Sequence, residues 1–216
     1  MSSFGATFGI DNLLFLLRTA IITAELSFGA MLLGGLLGLA VALGRTSSQQ
    51  ILRRGAAAYI GTVQGIPVLV VLFVVYFGLP YAGINVPPLV AAILSLSVFA
   101  SGYLGDIWRG AIESVARQQW EASASLAMTR AQQYRYIILP QAIRISLPPT
   151  VGFVVQLVKN TSIVSIVGVM ELVRGGQVTS TATFQPLLVF GVVAAIYFCI
   201  CFPLSLLSRK MESIYG

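Results

Sequence analysis

The sequence contains no histidine, and only 9% of its 216 residues are charged. The lack of histidine removes the commonest metal ligand and the usual proton shuttle of enzymes. A soluble domain of this length needs a more highly charged surface. The only cysteines, Cys199 and Cys201, lie two residues apart in an apolar run. On a helix they point away from each other, so they predict neither a disulfide nor a metal site.

Several catalytic patterns are also absent. The sequence has no P-loop of the form G-x-x-x-x-G-K-[ST] and no G-x-S-x-G or H-E-x-x-H pattern. We therefore expect a protein that is not an enzyme, with no catalytic residue, metal or cofactor of its own. If ATP drives its activity, ATP and magnesium bind to a separate subunit.

Long apolar runs make up most of the sequence, which has 57% hydrophobic residues and a mean hydropathy of +0.90. About 20 consecutive apolar residues suffice to cross a bilayer as a helix. No repeat or long linker divides the chain, so residues 1–216 are expected to form a single transmembrane domain. The pattern predicts an all-α membrane protein with five spans, at about 19–44, 57–79, 87–107, 149–169 and 186–208.

The basic residues predict the orientation of these spans. Five spans place the two termini on opposite sides of the membrane. Cytoplasmic loops carry an excess of lysine and arginine, which predicts an N-terminus outside and a cytoplasmic C-terminus. In that orientation the cytoplasmic segments hold ten of the thirteen basic residues, namely Arg45, Arg53, Arg54, Arg109, Arg117, Arg130, Arg135, Arg144, Arg209 and Lys210.

The longest predicted cytoplasmic loop, about 108–148, contains the polar stretch "EASASLAMTRAQQYRYIILP" at 121–140. Thr129 followed by Gln132 fits a capping box, which predicts a new helix beginning at Arg130. The residues alone leave two interpretations open. The loop is either an interfacial helix whose arginines meet anionic lipid or a docking element for a soluble partner.

The stretch resembles the EAA motif of bacterial ABC-importer permeases. Glu121 and Ala122 match the motif, Ser123 stands for its second alanine, and its ending corresponds to Ile137, Leu139 and Pro140. Ala127 replaces the family's glycine, which makes a left-handed kink there less easy.

Three other stretches, "YIGTVQGIPVLVVLFVVYFGL", "YLGDIWRGAIESV" and "LVKNTSIVSIVGVMEL", resemble signatures of polar amino-acid permeases. Gln64 and Gln118 depart from that pattern, where arginine and glycine are usual. The resemblance extends over nearly the whole chain from about residue 18.

The resemblance implies a type I ABC importer permease fold in a bacterial cytoplasmic (inner) membrane. It implies a path for an amino acid, polar or neutral to acidic, delivered by an extracytoplasmic solute-binding protein. The expected partners are cytoplasmic ATPase subunits and a second copy or a sister permease, and no nucleic acid is expected. The coupling helices contact the ATPase through Glu121, Ala122, Ser123, Ala127, Ile137, Leu139 and Pro140. The alternative is a secondary transporter or channel subunit, which has no reason to keep the 121–140 spacing.

Polar residues within the spans are candidates for the solute path, because they are unfavourable in lipid. On a helix Gln156 shares a face with Lys159 and Asn160, and Lys159 is three residues from Ser162. Lys159 either attracts a carboxylate or pairs with an acid such as Glu25. The stretch "VGFVVQ" has no acid, which favours a neutral or acidic solute. The full candidate set is Gln156, Lys159, Asn160, Ser162, Gln64 and Glu25.

Glycine and proline predict two structural features of the spans. Gly34 and Gly38 have the small-xxx-small spacing typical of close helix packing in membranes. Gly65 and Pro67 predict a kink in the second span.

Overall fold

The computed structural model describes residues 7–215, and every regular element in that range is helical. A π-helical turn, Gln133–Ile138, precedes α7, and a 3₁₀ segment, Thr161–Val167, follows it. The α-helices are α1 (Ile10–Arg45), α2 (Gln50–Gly65), α3 (Val68–Tyr81), α4 (Pro88–Ser114), α5 (Arg117–Ser125), α6 (Arg130–Gln132), α7 (Leu139–Asn160), α8 (Leu172–Thr183) and α9 (Pro186–Tyr215).

Five membrane spans account for most of these helices. Helices α1, α4 and α9 are each long and apolar enough to cross a membrane, as is the run Arg130–Val167. Helices α2 and α3 form the remaining span as a pair bent by 104°. The predicted all-α, five-span architecture is confirmed, and the chain is a multi-pass membrane protein.

The helices are longer than the apolar runs that predicted them. Helix α1 has 36 residues, which corresponds to a length of about 54 Å at about 1.5 Å per residue. A bilayer core is only about 30 Å thick, so α1 extends well beyond it. Helix α4 likewise continues past the predicted end at 107 to Ser114. Its charged end remains helical because Arg109 pairs with Asp106 and Glu113 along the same face.

Helix α4 lies at the centre of the bundle and contacts α1, α2, α3 and α7. Its contact with α1 is close because glycines line it. A Cβ atom on Gly34 would lie 2.6 Å from the Cβ of Ala100, and one on Gly38 would lie 3.0 Å from the Cβ of Leu104. The predicted packing role of these two glycines is confirmed.

The kink predicted in the second span is a complete helix break. Helix α2 ends at Gly65, and Ile66 is extended with φ −109° and ψ 132°. Pro67 follows as the residue before the first turn of α3. Proline disfavours helical backbone at the preceding residue and has no N–H to donate. The chain therefore changes direction within this span, between α2 and α3.

Candidate functional site

A polar pocket of about 360 Å³, here called the break pocket, opens where α2 and α3 separate. The broken backbone at 64–68 forms one side of it. Gln156 and Asn160 of α7 line the other side, together with Phe99 and Tyr103 of α4. The two α7 residues are four positions apart and so share one helix face. The pocket therefore presents amide and hydroxyl groups, and no lining residue is charged.

Aromatic rings form the wall of the break pocket between α4 and α7. The rings of Tyr103 and Phe153 stack with their centroids 5.6 Å apart, and Phe99 lies 4.6 Å from Tyr103. Phe153 is buried behind this pair. This packing leaves the Tyr103 ring facing the pocket.

A chain of polar contacts leads from the break pocket along α4. The Gln64 side-chain amide donates to Asp106 Oδ2 at 3.4 Å. Asp106 Oδ1 accepts from Arg109 Nε and Nη2 at 2.9 and 2.8 Å, and Arg109 also pairs with Glu113. The sequence interpretation missed Asp106 and Tyr103. The signal for Asp106 was present, since the acid in "YLGDIWRG" precedes an arginine by three residues.

Three of the six predicted path residues come together at this pocket: Gln64, Gln156 and Asn160. Lys159 is exposed and does not line the break pocket. The hydroxyl of Ser162 donates to the carbonyl oxygen of Lys159 at 2.7 Å. The 3₁₀ segment begins at Thr161, so α-helical spacing does not extend from Gln156 to Ser162.

Glu25 is exposed on α1. Within the described range neither Glu25 nor Lys159 forms an ion pair. The structure therefore does not contain the Glu25–Lys159 pair that was one of the two interpretations of Lys159. Cys199 and Cys201 are both free.

The most deeply buried carboxylate is one that the sequence interpretation did not select. Glu171 has no exposed surface and caps the N-terminus of α8, where it accepts from the backbone N–H groups of Val173 and Arg174 at 2.9 and 2.8 Å. The hydroxyl of Tyr197 on α9 donates to it at 3.1 Å. Burial raises the pKa of the Glu171 carboxyl above its usual range, and these three donors only partly offset that.

Helix α5, in the stretch with the EAA resemblance, exposes Glu121 and Ala122. Glu121 pairs with Arg117 one turn earlier at 2.8 Å, with both side chains largely exposed. Ser123 is instead buried, and its hydroxyl donates to the carbonyl oxygen of Trp120. The ring of Trp120 meets that of Tyr134 edge-on at 5.2 Å. One face of α5 is therefore fixed to the protein and the opposite face is free.

A left-handed residue ends α5. Ala127 has φ 52°, and the N–H groups of Ala127 and Met128 donate to the carbonyl oxygens of Ala124 and Ser123 at 3.0 and 3.3 Å. This is the Schellman arrangement, in which glycine is usual at the left-handed position. The kink therefore forms although alanine replaces glycine.

The predicted capping box and helix start are confirmed. The N–H of Thr129 donates to Gln132 Oε1 at 2.8 Å, the N–H of Gln132 donates to Thr129 Oγ1 at 3.4 Å, and α6 begins at Arg130. Leu126, just before the kink, is 76% exposed.

The end of the stretch anchors the loop. Ile138 is fully buried against Ala111, Ile112 and Ala142. Ile137 and Leu139 are half-buried around this cluster, and Pro140 is exposed in the first turn of α7. These apolar residues fix the loop to the end of α4. The exposed residues of α5 therefore lie in a loop that is packed against the bundle.

Five spans, a broken helix with a polar pocket and an exposed small-residue helix at the basic end define a membrane transport subunit. Residues 30–212 match the family of binding-protein-dependent transport system inner membrane components. The chain belongs to this family and is a permease subunit of the ABC importer class.

Named relatives support this assignment over nearly the full length. The chain is 34% identical to the probable amino-acid ABC transporter permease protein YckA of Bacillus subtilis, over 99% of this chain and 94% of the relative. It is 34% identical to the glutamine transport system permease protein GlnP of Escherichia coli, over 84% of each chain. A chain from a crystal structure described as an amino acid ABC transporter with histidines superposes with a TM-score of 0.88 at 33% identity, covering 94% of this chain and 95% of that one.

Proposed function

We propose that this chain forms the translocation path of an ATP-driven importer for a neutral polar amino acid. The break pocket carries the proposal, because it is polar and no lining residue is charged. The amide groups of Gln64, Gln156 and Asn160 offer both donors and acceptors. The names of the relatives YckA and GlnP support an amino acid as the solute. A neutral polar side chain matches these amides better than a charged one does.

The proposed partners follow from the family and the exposed surfaces. An extracytoplasmic binding protein delivers the solute, and a second copy or a sister permease completes the path. At the basic end, α5 docks in a groove of an ATPase subunit, which binds ATP and magnesium. Leu126 supplies an apolar anchor at the tip of α5, and Ala122 permits a close approach of the partner.

Substitution of Gln156 tests the pathway. Gln156→Leu removes an amide from the break pocket, and we expect solute uptake by the complete importer to fall about tenfold or more, equivalent to about 1.4 kcal/mol or more of transition-state stabilisation. Lys159→Met is the matched control, because Lys159 lies on the neighbouring face of α7. We expect this variant to keep most of the uptake. Normal uptake and unchanged solute preference in both variants would place the pathway elsewhere.

Substitution of Ala122 tests the docking surface. Ala122→Arg places a long charged side chain on the free face of α5, and we expect solute-stimulated ATP hydrolysis by the reconstituted importer to be abolished. Ala131→Arg introduces the same charge at another exposed position, in α6 outside α5, and is expected to retain the activity. If the ATPase subunits still co-purify fully with the Ala122→Arg variant and keep full activity, docking through α5 is excluded. Uptake that proceeds without ATPase subunits would contradict the proposed coupling to ATP hydrolysis.

A further inference from the structure

An apolar groove of about 560 Å³ runs along the bundle between α1, the end of α4 and the first half of α7. Exposed side chains of α1, including Leu32, Leu36 and Leu39, form one wall. Trp108 of α4 forms the floor, and its indole N–H donates to Thr150 Oγ1 at 3.1 Å. The hydroxyl of Ser146 is also satisfied, by the carbonyl oxygen of Ile143. The groove therefore offers hydrocarbon surface with its hydroxyl groups already bonded.

A basic pocket of about 510 Å³ lies at the end of this groove. Arg53 of α2 and Arg130 of α6 line it, with the hydroxyl-bearing residues Thr46, Ser47 and Ser48. Within residues 7–215 neither arginine has an ion-pair partner. The Arg130 guanidinium lies 6.0 Å from the centroid of the Trp120 ring, which helps to orient it. Two unpaired guanidinium groups beside hydroxyls are suited to a phosphate group.

The acidic residue in an adjoining pocket does not neutralise this one. Glu113 lines an adjoining pocket, together with Arg45 and Arg53. Glu113 already pairs with Arg109. The surroundings of the basic pocket therefore keep an excess of positive charge.

The groove and the basic pocket are continuous, because Leu43 lines both. From Phe28 to Leu43 the groove follows α1 for about 22 Å at about 1.5 Å per residue. One leaflet of the bilayer core is about 15 Å deep, half of its full thickness. A free anion would leave the groove uncovered, and a plain hydrocarbon would leave the arginines unpaired. An anionic headgroup with long acyl chains matches both parts.

We propose that the groove and the basic pocket form one binding site for an anionic phospholipid. Its phosphate binds between Arg53 and Arg130, and an acyl chain lies against Trp108. The headgroup then joins α2, which leads to the break pocket, to α6, which follows the exposed helix α5. The bound lipid thus holds together two elements that the proposed transport cycle must move in concert. This site is separate from the break pocket and from the exposed face of α5.

Tryptophan fluorescence measures this binding directly, because the chain has only two tryptophans. In a Trp120→Phe background, Trp108 reports contact with brominated acyl chains, which quench indole fluorescence. The protein is reconstituted in phosphatidylcholine nanodiscs with increasing brominated phosphatidylglycerol or, separately, brominated phosphatidylcholine. We expect half-maximal quenching at a lower fraction of phosphatidylglycerol.

Charge variants identify the headgroup contacts. Arg53→Gln and Arg130→Gln should each reduce the preference for phosphatidylglycerol, by about fivefold per arginine near the headgroup. Arg54→Gln is the matched control, since Arg54 is the next residue of α2 and does not line the basic pocket. It should keep the preference of the wild type. Equal quenching by the two lipids in the wild type would overturn the proposal.

Two further measurements separate the lipid from other occupants. In native mass spectrometry, Leu36→Trp should lose bound phosphatidylglycerol because it fills the groove, whereas Leu37→Trp, which lies beside the groove, should retain it. Displacement of the lipid by 10 mM inorganic phosphate would show a free-anion site and overturn the proposal. A Leu36→Cys variant without the native cysteines tests for a second copy of the chain. Disulfide-linked dimers of this variant would show that the second copy covers the groove, and would also overturn the proposal.

Discussion

The hydroxyl of Tyr197 on α9 donates a hydrogen bond to Oε2 of Glu171 at 3.1 Å, at the N-terminus of α8. Nearby, the backbone N–H of Leu172 donates to Thr23 of α1 at 3.1 Å. These contacts join the first and last spans to the segment between α7 and α9. Because Glu171 is completely buried, the hydrogen bond from Tyr197 helps to hold α9 against the N-terminus of α8.

Tyr197→Phe should destabilise the protein by about 1–3 kcal/mol, because it leaves a buried carboxylate with one donor fewer. Thermal unfolding of the purified protein in detergent measures this effect. Tyr81→Phe is the control, since Tyr81 is 96% exposed, and it should leave the midpoint unchanged. Equal midpoints for both variants and the wild type would show that the Tyr197 contact contributes nothing to stability.

Glu171 predicts a pH dependence of stability. Burial is the largest effect on its pKa and raises it in the folded protein. The folded state therefore binds a proton more tightly than the unfolded state does. This contribution to stability is complete below the unfolded glutamate pKa of about 4.3. It is lost as the pH rises toward the higher folded pKa. Glu171→Gln should weaken the dependence of the thermal unfolding midpoint on pH across this window. An unchanged pH dependence would contradict the raised pKa of Glu171.

Gly34→Ala should destabilise the bundle by about 1–3 kcal/mol through overpacking. The new methyl group would meet Ala100 of α4 at 2.6 Å, a distance that requires backbone movement. Gly61→Ala is the matched control, because a Cβ there meets nothing within 4 Å. This control should be neutral or slightly stabilising. Thermal unfolding distinguishes the two variants, and an unchanged midpoint for Gly34→Ala would show that the contact between α1 and α4 tolerates the added methyl group.

Ala127→Gly should stabilise the end of α5. A left-handed backbone costs a residue with a Cβ about 1–2 kcal/mol, and glycine does not incur this strain. Hydrogen exchange of the Ala127 and Met128 amides should therefore slow. Ala124→Gly places the same residue in the last turn of α5 and should speed exchange through lower helix propensity. Faster exchange in both variants would show that the strain at Ala127 is negligible.

Labelling of single cysteines tests the orientation inferred from the basic residues. Both native cysteines are replaced first. Ala131→Cys and Asn85→Cys then each place one cysteine at an exposed position. A membrane-impermeant maleimide should label residue 85 from outside intact cells, and residue 131 only after the membrane is opened. The reverse pattern would place the exposed helix α5 on the outer side.

Apolar run length predicted the five spans, because crossing a bilayer requires a long uncharged helix whatever its neighbours are. Glycine spacing likewise predicted close helix packing at Gly34 and Gly38, but it did not identify α4 as the partner helix. The sequence did not predict which polar residues meet, since that depends on helix rotation and on neighbouring elements. Lys159 therefore does not line the break pocket with Gln156, although the two lie three residues apart in α7. Glu171 was overlooked because its burial comes from α1 and α9, which are distant in the sequence.

The break at Gly65–Pro67 also has an electrostatic consequence. The last carbonyl groups of a helix carry partial negative charge, and the first N–H groups of a helix carry partial positive charge. Here the end of α2 and the start of α3 border one pocket, so both signs of partial charge lie a few residues apart. A zwitterion has the matching ammonium and carboxylate groups. In the proposed transport path, the backbone would therefore bind the part common to every amino acid, and substitution of side chains would not remove this contribution. The side chains around the pocket would then distinguish one solute from another.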